Sequence, residues 1–277
     1  MALPSTNAIL FNAAGAALFL FLGAYMLRPV FVTDQVPACS TRYPAGHRFA
    51  LENASGAPLT PIELQGRAGF REYGILANAS VEATPDVQWG KSLVVKMAAA
   101  KSGDDARFGA GYVWPVAAMK SAEAACLTYN VYLPNDVDMK TPAQLPGLLA
   151  GQPLAKRDAP DGFAARPGWQ DSSTVIATVE YTARGKSADW LEPTRHLEWP
   201  RGRWVRVEQE VGLNEGKEIA GGVRIWLDGK LVLERNDLTL RSDPDVRFTG
   251  VAGDTGYLRA GGHVTAVKIS PFTVQWR

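Results

Sequence analysis

The sequence predicts an all-β fold of two packed antiparallel sheets, preceded by one N-terminal transmembrane helix. Three observations carry that reading. Hydrophobicity alternates with a period of two from about Lys91 to the C-terminus, the spacing of strands with one face buried. The chain holds 27 Gly and 18 Pro among 277 residues, about one residue in six, which favours many turn-linked strands over a helical bundle. Residues 8–27 carry no charge, and Asn12 is their only strongly polar side chain.

Composition narrows the classes of function. At 46% apolar and 21% charged the chain can bury a core, which excludes disorder. Lys and Arg number 29 against 28 Asp and Glu, so a polybasic nucleic-acid binder is excluded and any polyanion contact must be a local groove. Two Cys and three His exclude a disulfide-stapled miniprotein and make no zinc ribbon or multi-histidine site, so neither metal nor cofactor is expected. Chemistry is left to carboxylates, Arg, Lys, Tyr or a lone His. The phosphate-cradle, nucleophile-elbow and zinc-protease signatures are absent from the sequence.

Taken from the N-terminus, residues 8–27 would form roughly 30 Å of helix, enough to cross a bilayer. Residues 1–30 therefore read as an anchor in the lipid bilayer, with Tyr25 and Arg28 at the interface and Pro29 ending the helix. No basic residue precedes Arg28, which argues against a cleaved signal peptide. Arg28 and Arg42 would by themselves place the large domain in the cytoplasm. Cys39 and Cys126 either pair in an oxidising compartment or stand as two separate buried thiols.

Residues 31–90 are rich in turn formers and read as an irregular extension, or collar, on the main domain. Within it Thr60, Pro61 and Glu63 supply a cap, a first-turn proline and a first-turn acid, predicting a short helix to Ala68. Residues 91–277 form the sandwich. In residues 204–213 Val205, Val207, Val211 and Leu213 share one face, with Arg206, Glu208 and Glu210 on the other, predicting a half-buried strand. Val223, Ile225 and Leu227 repeat the pattern, Asp228-Gly229 is a tight-turn signal, and Leu231 with Leu233 completes a hairpin. Further strands are expected at residues 92–98, 127–133, 175–184, 246–252 and 264–276, with no internal repeat.

Leu127-Thr-Tyr-Asn-Val-Tyr-Leu-Pro134, Gln144-Leu-Pro-Gly-Leu148 and Gly162-Phe-Ala-Ala-Arg-Pro-Gly-Trp169, followed by Gly202-Arg-Trp204, Val211-Gly-Leu-Asn214 and Gly222-Val-Arg-Ile-Trp-Leu-Asp-Gly229, resemble in order and spacing the family 14 polysaccharide lyases, which include alginate lyases. The resemblance covers roughly residues 90–277. It implies a concanavalin-like β-jelly roll whose concave sheet holds an acidic polysaccharide. It also implies β-elimination, in which a base removes the proton beside a uronate carboxylate, cations or amides stabilise the developing charge, and an acid protonates the leaving oxygen. The family supplies a Lys before the Leu-Pro-Gly-Leu run, small hydroxyls before the Arg, and two Tyr spaced two apart on the next strand. Here those positions read Gln144, Ala164 with Ala165, and Val179 with Tyr181.

The candidate catalytic residues are accordingly Tyr181, Arg166 and His263, and the candidate substrate contacts Gln144, Trp169, Glu180 and Arg184. Tyr181 shares its strand face with Val175, Ala177 and Val179, so alternation makes it a core aromatic while the resemblance makes it an acid or base. Arg166 is either a carboxylate clamp or a structural salt bridge. Glu180 and Arg184 lie on the polar face with Thr178 and Thr182, as sugar contacts or as a solvated surface. His263 sits in the loop before the last strand, where it contacts ligand or simply stays exposed. Trp190, Trp199 and Trp204 stack on sugar or pack at the sandwich edge. Asp243, Asp245 and Asp254 are loop carboxylates without calcium-loop spacing.

The sequence therefore points to a single-pass protein of a bacterial inner membrane. Because the resemblance is to proteins acting on extracytoplasmic polysaccharide, it outweighs the positive-inside count and puts the main domain in the periplasm. The function expected first is binding an acidic polysaccharide with weak or no catalysis, the second an active lyase, and the third a non-catalytic accessory subunit of a larger membrane complex.

Overall fold

The computed structural model describes residues 36–68, 72–97, 109–151, 162–181, 189–193, 197–216, 218–259 and 263–277. Residues 8–27 lie outside them, and among the described residues no helix is long and apolar enough to cross a membrane. Residues 37–277 belong to one compact unit. Its strands are β1 (Ala45–Phe49), β2 (Glu72–Tyr73), β3 (Ala79–Ala83), β4 (Lys91–Met97), β5 (Gly109–Pro115), β6 (Ala124–Tyr132), β7 (Ala143–Gln144), β8 (Gly147–Ala150) and β9 (Phe163–Trp169). They continue as β10 (Ile176–Tyr181), β11 (Asp189–Leu191), β12 (Trp204–Gly212), β13 (Gly221–Leu227), β14 (Lys230–Leu238), β15 (Phe248–Ala252), β16 (Thr255–Tyr257), β17 (Thr265–Ile269) and β18 (Phe272–Trp276).

These strands make two antiparallel sheets, the architecture expected. The first runs β14-β13-β12-β6-β17-β4-β3, with β18 joining β6 and β1 joining β18. The second runs β11-β10-β9-β7-β16-β5-β15-β8, with β2 on β5 and β8 also on β9. Between them lies one core, to which alternate residues contribute: Leu127, Tyr129 and Val131 from β6, Val205, Val207 and Val211 from β12, Phe163, Ala165 and Trp169 from β9. The predicted hairpin is β13–β14, turning at Asp228 and Gly229, both with positive φ. The predicted short helix is α1 (Pro61–Arg67), closed by a capping box in which Thr60 and Glu63 satisfy each other's backbone N–H.

Three expectations need correction. Residues 45–83 are not a collar: β1, β2 and β3 are paired members of the two sheets. β1 pairs with the last strand, far away in the chain, whereas β3 pairs with the next strand, β4. Phe49 of β1 stacks on Phe272 at 4.6 Å and meets Trp114 edge-on at 5.0 Å. The run 264–276 is two strands, because Pro271 offers no N–H and Ser270 turns to bond Asn130. The polar face of β12 is not solvated. Glu208 and Glu210 are buried under the segment 39–43, where Ser40 N–H donates to Glu208 and both Arg42 and the Tyr43 hydroxyl donate to Glu210. A disulfide between Cys39 and Cys126 bolts this strap to β6, so of the two fates open to the cysteines the structure takes pairing.

The second sheet contains one irregularity that positions everything near it. Gln144 faces Gly168 and Leu148 faces Ala165, four steps on one strand against three on its neighbour, so one extra residue bulges out opposite Arg166. Gly147 fits there because a Cβ would fall 1.9 Å from the Ala165 carbonyl oxygen. Two buried polar side chains cross the core from the first sheet to serve this bulge. The Gln209 amide accepts from Leu148 N–H and donates to Ala165 C=O, both at 3.0 Å, and the Tyr129 hydroxyl donates to Pro146 C=O at 3.0 Å.

Gln209→Leu, which strips two buried backbone groups of a partner, is expected to cost about 2–3 kcal/mol in urea unfolding. Tyr112→Phe should instead gain about 1 kcal/mol, because the Tyr112 hydroxyl is buried without a hydrogen-bond partner among the described residues. A loss of stability in the Phe variant would show that hydroxyl to be bonded. For Glu210, burial opposes ionisation, but the hydrogen bonds from Tyr43 and Arg42 outweigh it and hold the carboxyl below its usual 4.5. A depressed carboxylate stabilises the fold above its unfolded pKa and loses that contribution as pH falls through the folded value. The strap should therefore loosen only below about pH 4.5, read as a change in the fluorescence of Trp226, over whose ring Arg42 lies at 5.9 Å.

Candidate functional site

On β9 and β10 alternation separates two sets of residues. Phe163, Ala165, Ala177 and Val179 face the core, so Ala164, Arg166, Thr178 and Glu180 face outward. In the ladder Arg166 stands opposite Thr178 and Ala164 opposite Glu180, while Gln144, opposite Gly168, lies diagonally next to Arg166. The outward floor is small and apolar: Leu149, Ala164 and Ala252 form a buried cluster with Val113 beside it. The same outward row extends to Trp190, opposite Thr178 on β11, and at the far edge to Tyr73, opposite Gly111.

Arg166 is the centre of this face and is almost wholly buried, its side chain 4% exposed. Its Nε and Nη2 both donate to Asp254 Oδ2, at 3.1 and 2.9 Å, and its Nη1 donates to Glu180 Oε2 at 3.0 Å. Burial lowers the pKa of the guanidinium, but the two carboxylates outweigh it and raise it above the usual value. Asp254 reaches Arg166 from the break between β15 and β16, and the missing side chain of Gly111 makes room for it. A Cβ on Gly111 would lie 2.4 Å from Asp254 Oδ1 and 2.2 Å from the Tyr73 ring. One guanidinium held by two carboxylates leaves the cluster with a net negative charge.

The structure brings together Arg166, Glu180 and Gln144 among the candidates read from the sequence. It does not bring the others to them. Tyr181 lies on the opposite strand face and packs against the core, as alternation demands, so it does not converge with Arg166. Trp169 is fully buried, its indole N–H donating to Asp138 C=O, and cannot stack on a sugar. His263 is exposed in the loop before β17, with Nε2 4.0 Å from Asp136 Oδ2, away from the Arg166 face. Arg184 lies outside the described residues. The three tryptophans are dispersed: Trp199 is in the core, bonded to Gly168 C=O, Trp204 is on the first sheet, and Trp190 alone joins the Arg166 row. Along β7, β8, β9 and β10 the outward positions carry no Lys, His or Tyr. What this face offers chemically is hydrogen bonding from Gln144 and aromatic contact from Trp190 and Tyr73, around a closed ion triad, while Thr178 is buried with its hydroxyl donating to Arg166 C=O.

Sequence reasoning missed Asp254 as the partner of Arg166, 88 positions away. The available signal was Gly253-Asp254 interrupting an apolar alternation, the mark of a bulge. Among the described residues, the one group of three side chains that gathers metal-capable atoms within 4.8 Å is Cys39, Cys126 and Glu208, and both cysteines are spent in the disulfide.

The polysaccharide lyase 14 family model matches residues 88–265. No curated protein matches the sequence. Among solved structures the chain is similar to alginate lyase vAL-1 from Chlorella virus, with TM-score 0.60, 14% identity, and coverage of 76% of this chain and 94% of that one. It is similar to the marine PL-14 alginate lyase from Aplysia kurodai, with TM-score 0.58, 17% identity and coverage of 75% and 90%. It is also similar to the endo-β-1,4-glucuronan lyase from the fungus Trichoderma reesei, with TM-score 0.53, 14% identity and coverage of 85% and 96%.

The triad makes unequal demands on its two acids. Asp254→Asn removes the charge that holds two guanidinium nitrogens of a buried Arg and is expected to cost about 3 kcal/mol. Glu180→Gln, at a side chain 40% exposed, should cost less than about 1 kcal/mol. Equal costs in chemical denaturation would mean that Arg166 is open to solvent.

Proposed function

The chain belongs to the polysaccharide lyase 14 family, and we propose that it binds an acidic polysaccharide without cleaving it. The observation that carries this reading is the saturation of Arg166 by Asp254 and Glu180. Elimination needs uncommitted positive charge where the uronate carboxylate turns into an enolate-like dianion, and a base and acid on the same surface. Here the guanidinium is neutralised from within. The Lys that the family resemblance asks for is Gln144, which can hydrogen-bond a sugar but carries no charge. The positions that face outward on β10 are Ile176, Thr178 and Glu180, and none of them stands in for a tyrosine acid–base pair. The acidity of the glycan is supported by the names of the structural relatives, which are alginate and glucuronan lyases.

The rest of the reading concerns place. Residues 8–27 anchor the protein in a bacterial inner membrane, and residues 37–277 stand in the periplasm. The Cys39–Cys126 disulfide supports the second part, because such bonds persist in oxidising compartments and are rare in the cytosol.

Full-length protein in mild detergent, incubated with alginate and with polyglucuronate, is expected to give no rise in the ultraviolet absorbance of an unsaturated uronate, and to be retarded in native gels cast with either polymer. A rise in absorbance would reinstate the lyase. No retardation in any acidic glycan would remove the carbohydrate reading and leave an accessory subunit, to be sought by copurification.

A further inference from the structure

Because the Arg166 cluster is closed and net negative, a polyanion has to be held elsewhere, and the outward face of the first sheet has what is needed. Ser80 faces Val94, Val94 faces Lys268, Lys268 faces Tyr132 and Tyr132 faces Trp204. Five strands thus present one continuous row, roughly 19 Å long at about 4.8 Å per strand. Core residues Leu93, Val95, Val131, Val205, Val267 and Ile269 alternate with this row, which fixes its outward direction. Lys96, opposite Ala266, is the diagonal neighbour of Lys268, which puts the two lysines within about 8 Å of each other. A groove of about 650 Å³ runs along these strands, lined by Lys96, Lys268, Tyr132, Val94 and Ser80. Neither ammonium is in an ion pair among the described residues. Tyr132 and Trp204 lie 5.7 Å apart, partly exposed and tilted at 58°.

We propose that this groove is a binding site for a uronate-bearing oligosaccharide, with carboxylates on Lys96 and Lys268 and a sugar ring against Tyr132, beyond which Trp204 extends the row. The inference rests on the acidic-polysaccharide reading above and adds a location that the family resemblance does not point to. Adjacent uronates present carboxylates at a spacing of the same order as two diagonal lysines, and an aromatic beside a cation suits a pyranose, with one apolar face and a polar rim. The groove's own acids, Glu82 and Asp136, equal the two lysines in number, so the positive charge is local to the Lys96–Lys268 pair. Glu82 faces Ser92 at the other end of β3 and β4 from Lys96, and Asp136 lies beside His263.

The test uses the full chain in detergent, titrated calorimetrically with a defined oligomannuronate and an oligoglucuronate. The Lys96→Gln/Lys268→Gln pair is expected to weaken binding at least tenfold and to flatten its salt dependence, while the Lys96→Arg/Lys268→Arg pair keeps affinity within about threefold. Tyr132→Ala should weaken binding with the salt dependence unchanged. Near-ultraviolet circular dichroism reports whether each variant keeps its packing, and Glu82→Gln, the mirror control, should bind as well as or better than wild type. Unchanged affinity in the Gln pair overturns the inference. If Gln144→Ala then abolishes binding, the polymer sits on the Arg166 face and the proposed function survives without this site. Lysine-dependent sedimentation with anionic phospholipid vesicles, with no oligosaccharide affinity, would assign the groove to the membrane and overturn both readings.

Discussion

A single buried amide holds the two sheets in the relation on which the rest of the site depends. Gln209 lies on the core side of β12 among Val207 and Val211, and its two hydrogen bonds land on Leu148 and Ala165, one on each of two paired strands of the opposite sheet. A polar side chain in such a position is tolerable only when its donors and acceptors are met. Here both ends are met because the strand β7–β8 bulges. The bulge, the Gln209 amide and the Tyr129 hydroxyl are mutually required: an even ladder would leave the side chains without partners, and an apolar residue at 209 would leave the backbone short. The outcome is an irregular strand held in one place, with Arg166 aimed from the neighbouring strand across its extra residue.

What Arg166 does once placed is decided by a second long-range contact. A guanidinium buried to this degree needs compensating charge, and the fold provides it from Asp254, on the opposite side of the bulged strand, and from Glu180, in the next strand. A substrate carboxylate could pair with Arg166 only by displacing Asp254 or Glu180 from it. The fold is that of the polysaccharide lyase 14 family, and within it the charge of Arg166 is met by the chain's own carboxylates.

The first sheet shows the same economy in reverse. Its outward face is divided between a strap and a groove. The strap, residues 39–43, covers Glu208 and Glu210 with Arg42, Tyr43 and the Cys39–Cys126 bond, so the acids of β12 are removed from the surface. The positive charges of Lys96 and Lys268 are left uncovered on the other half of the same face. Local charge, and not the overall balance of 29 basic against 28 acidic residues, sets where an anion can be held.

Period-two hydrophobicity, Asp228-Gly229 and the Thr60–Glu63 cap were legible because each depends on near neighbours: alternation sorts a strand's faces, a two-residue turn is set by its own φ preferences, and a cap closes within one helical turn. The family followed from the order of such local pieces. Whether Tyr181 or Glu180 faced outward was also present in the alternation, and the strand obeyed it. What the chain could not disclose locally were the contacts closed over long separations. Asp254 meets Arg166 across 88 positions, Cys39 meets Cys126 across 87, and Ser40 and Arg42 meet Glu208 and Glu210 across 168. Those pairings decide which polar residues are buried and which charges are free, because a side chain's electrostatic surroundings are made by whatever the fold packs beside it and not by its sequence neighbours.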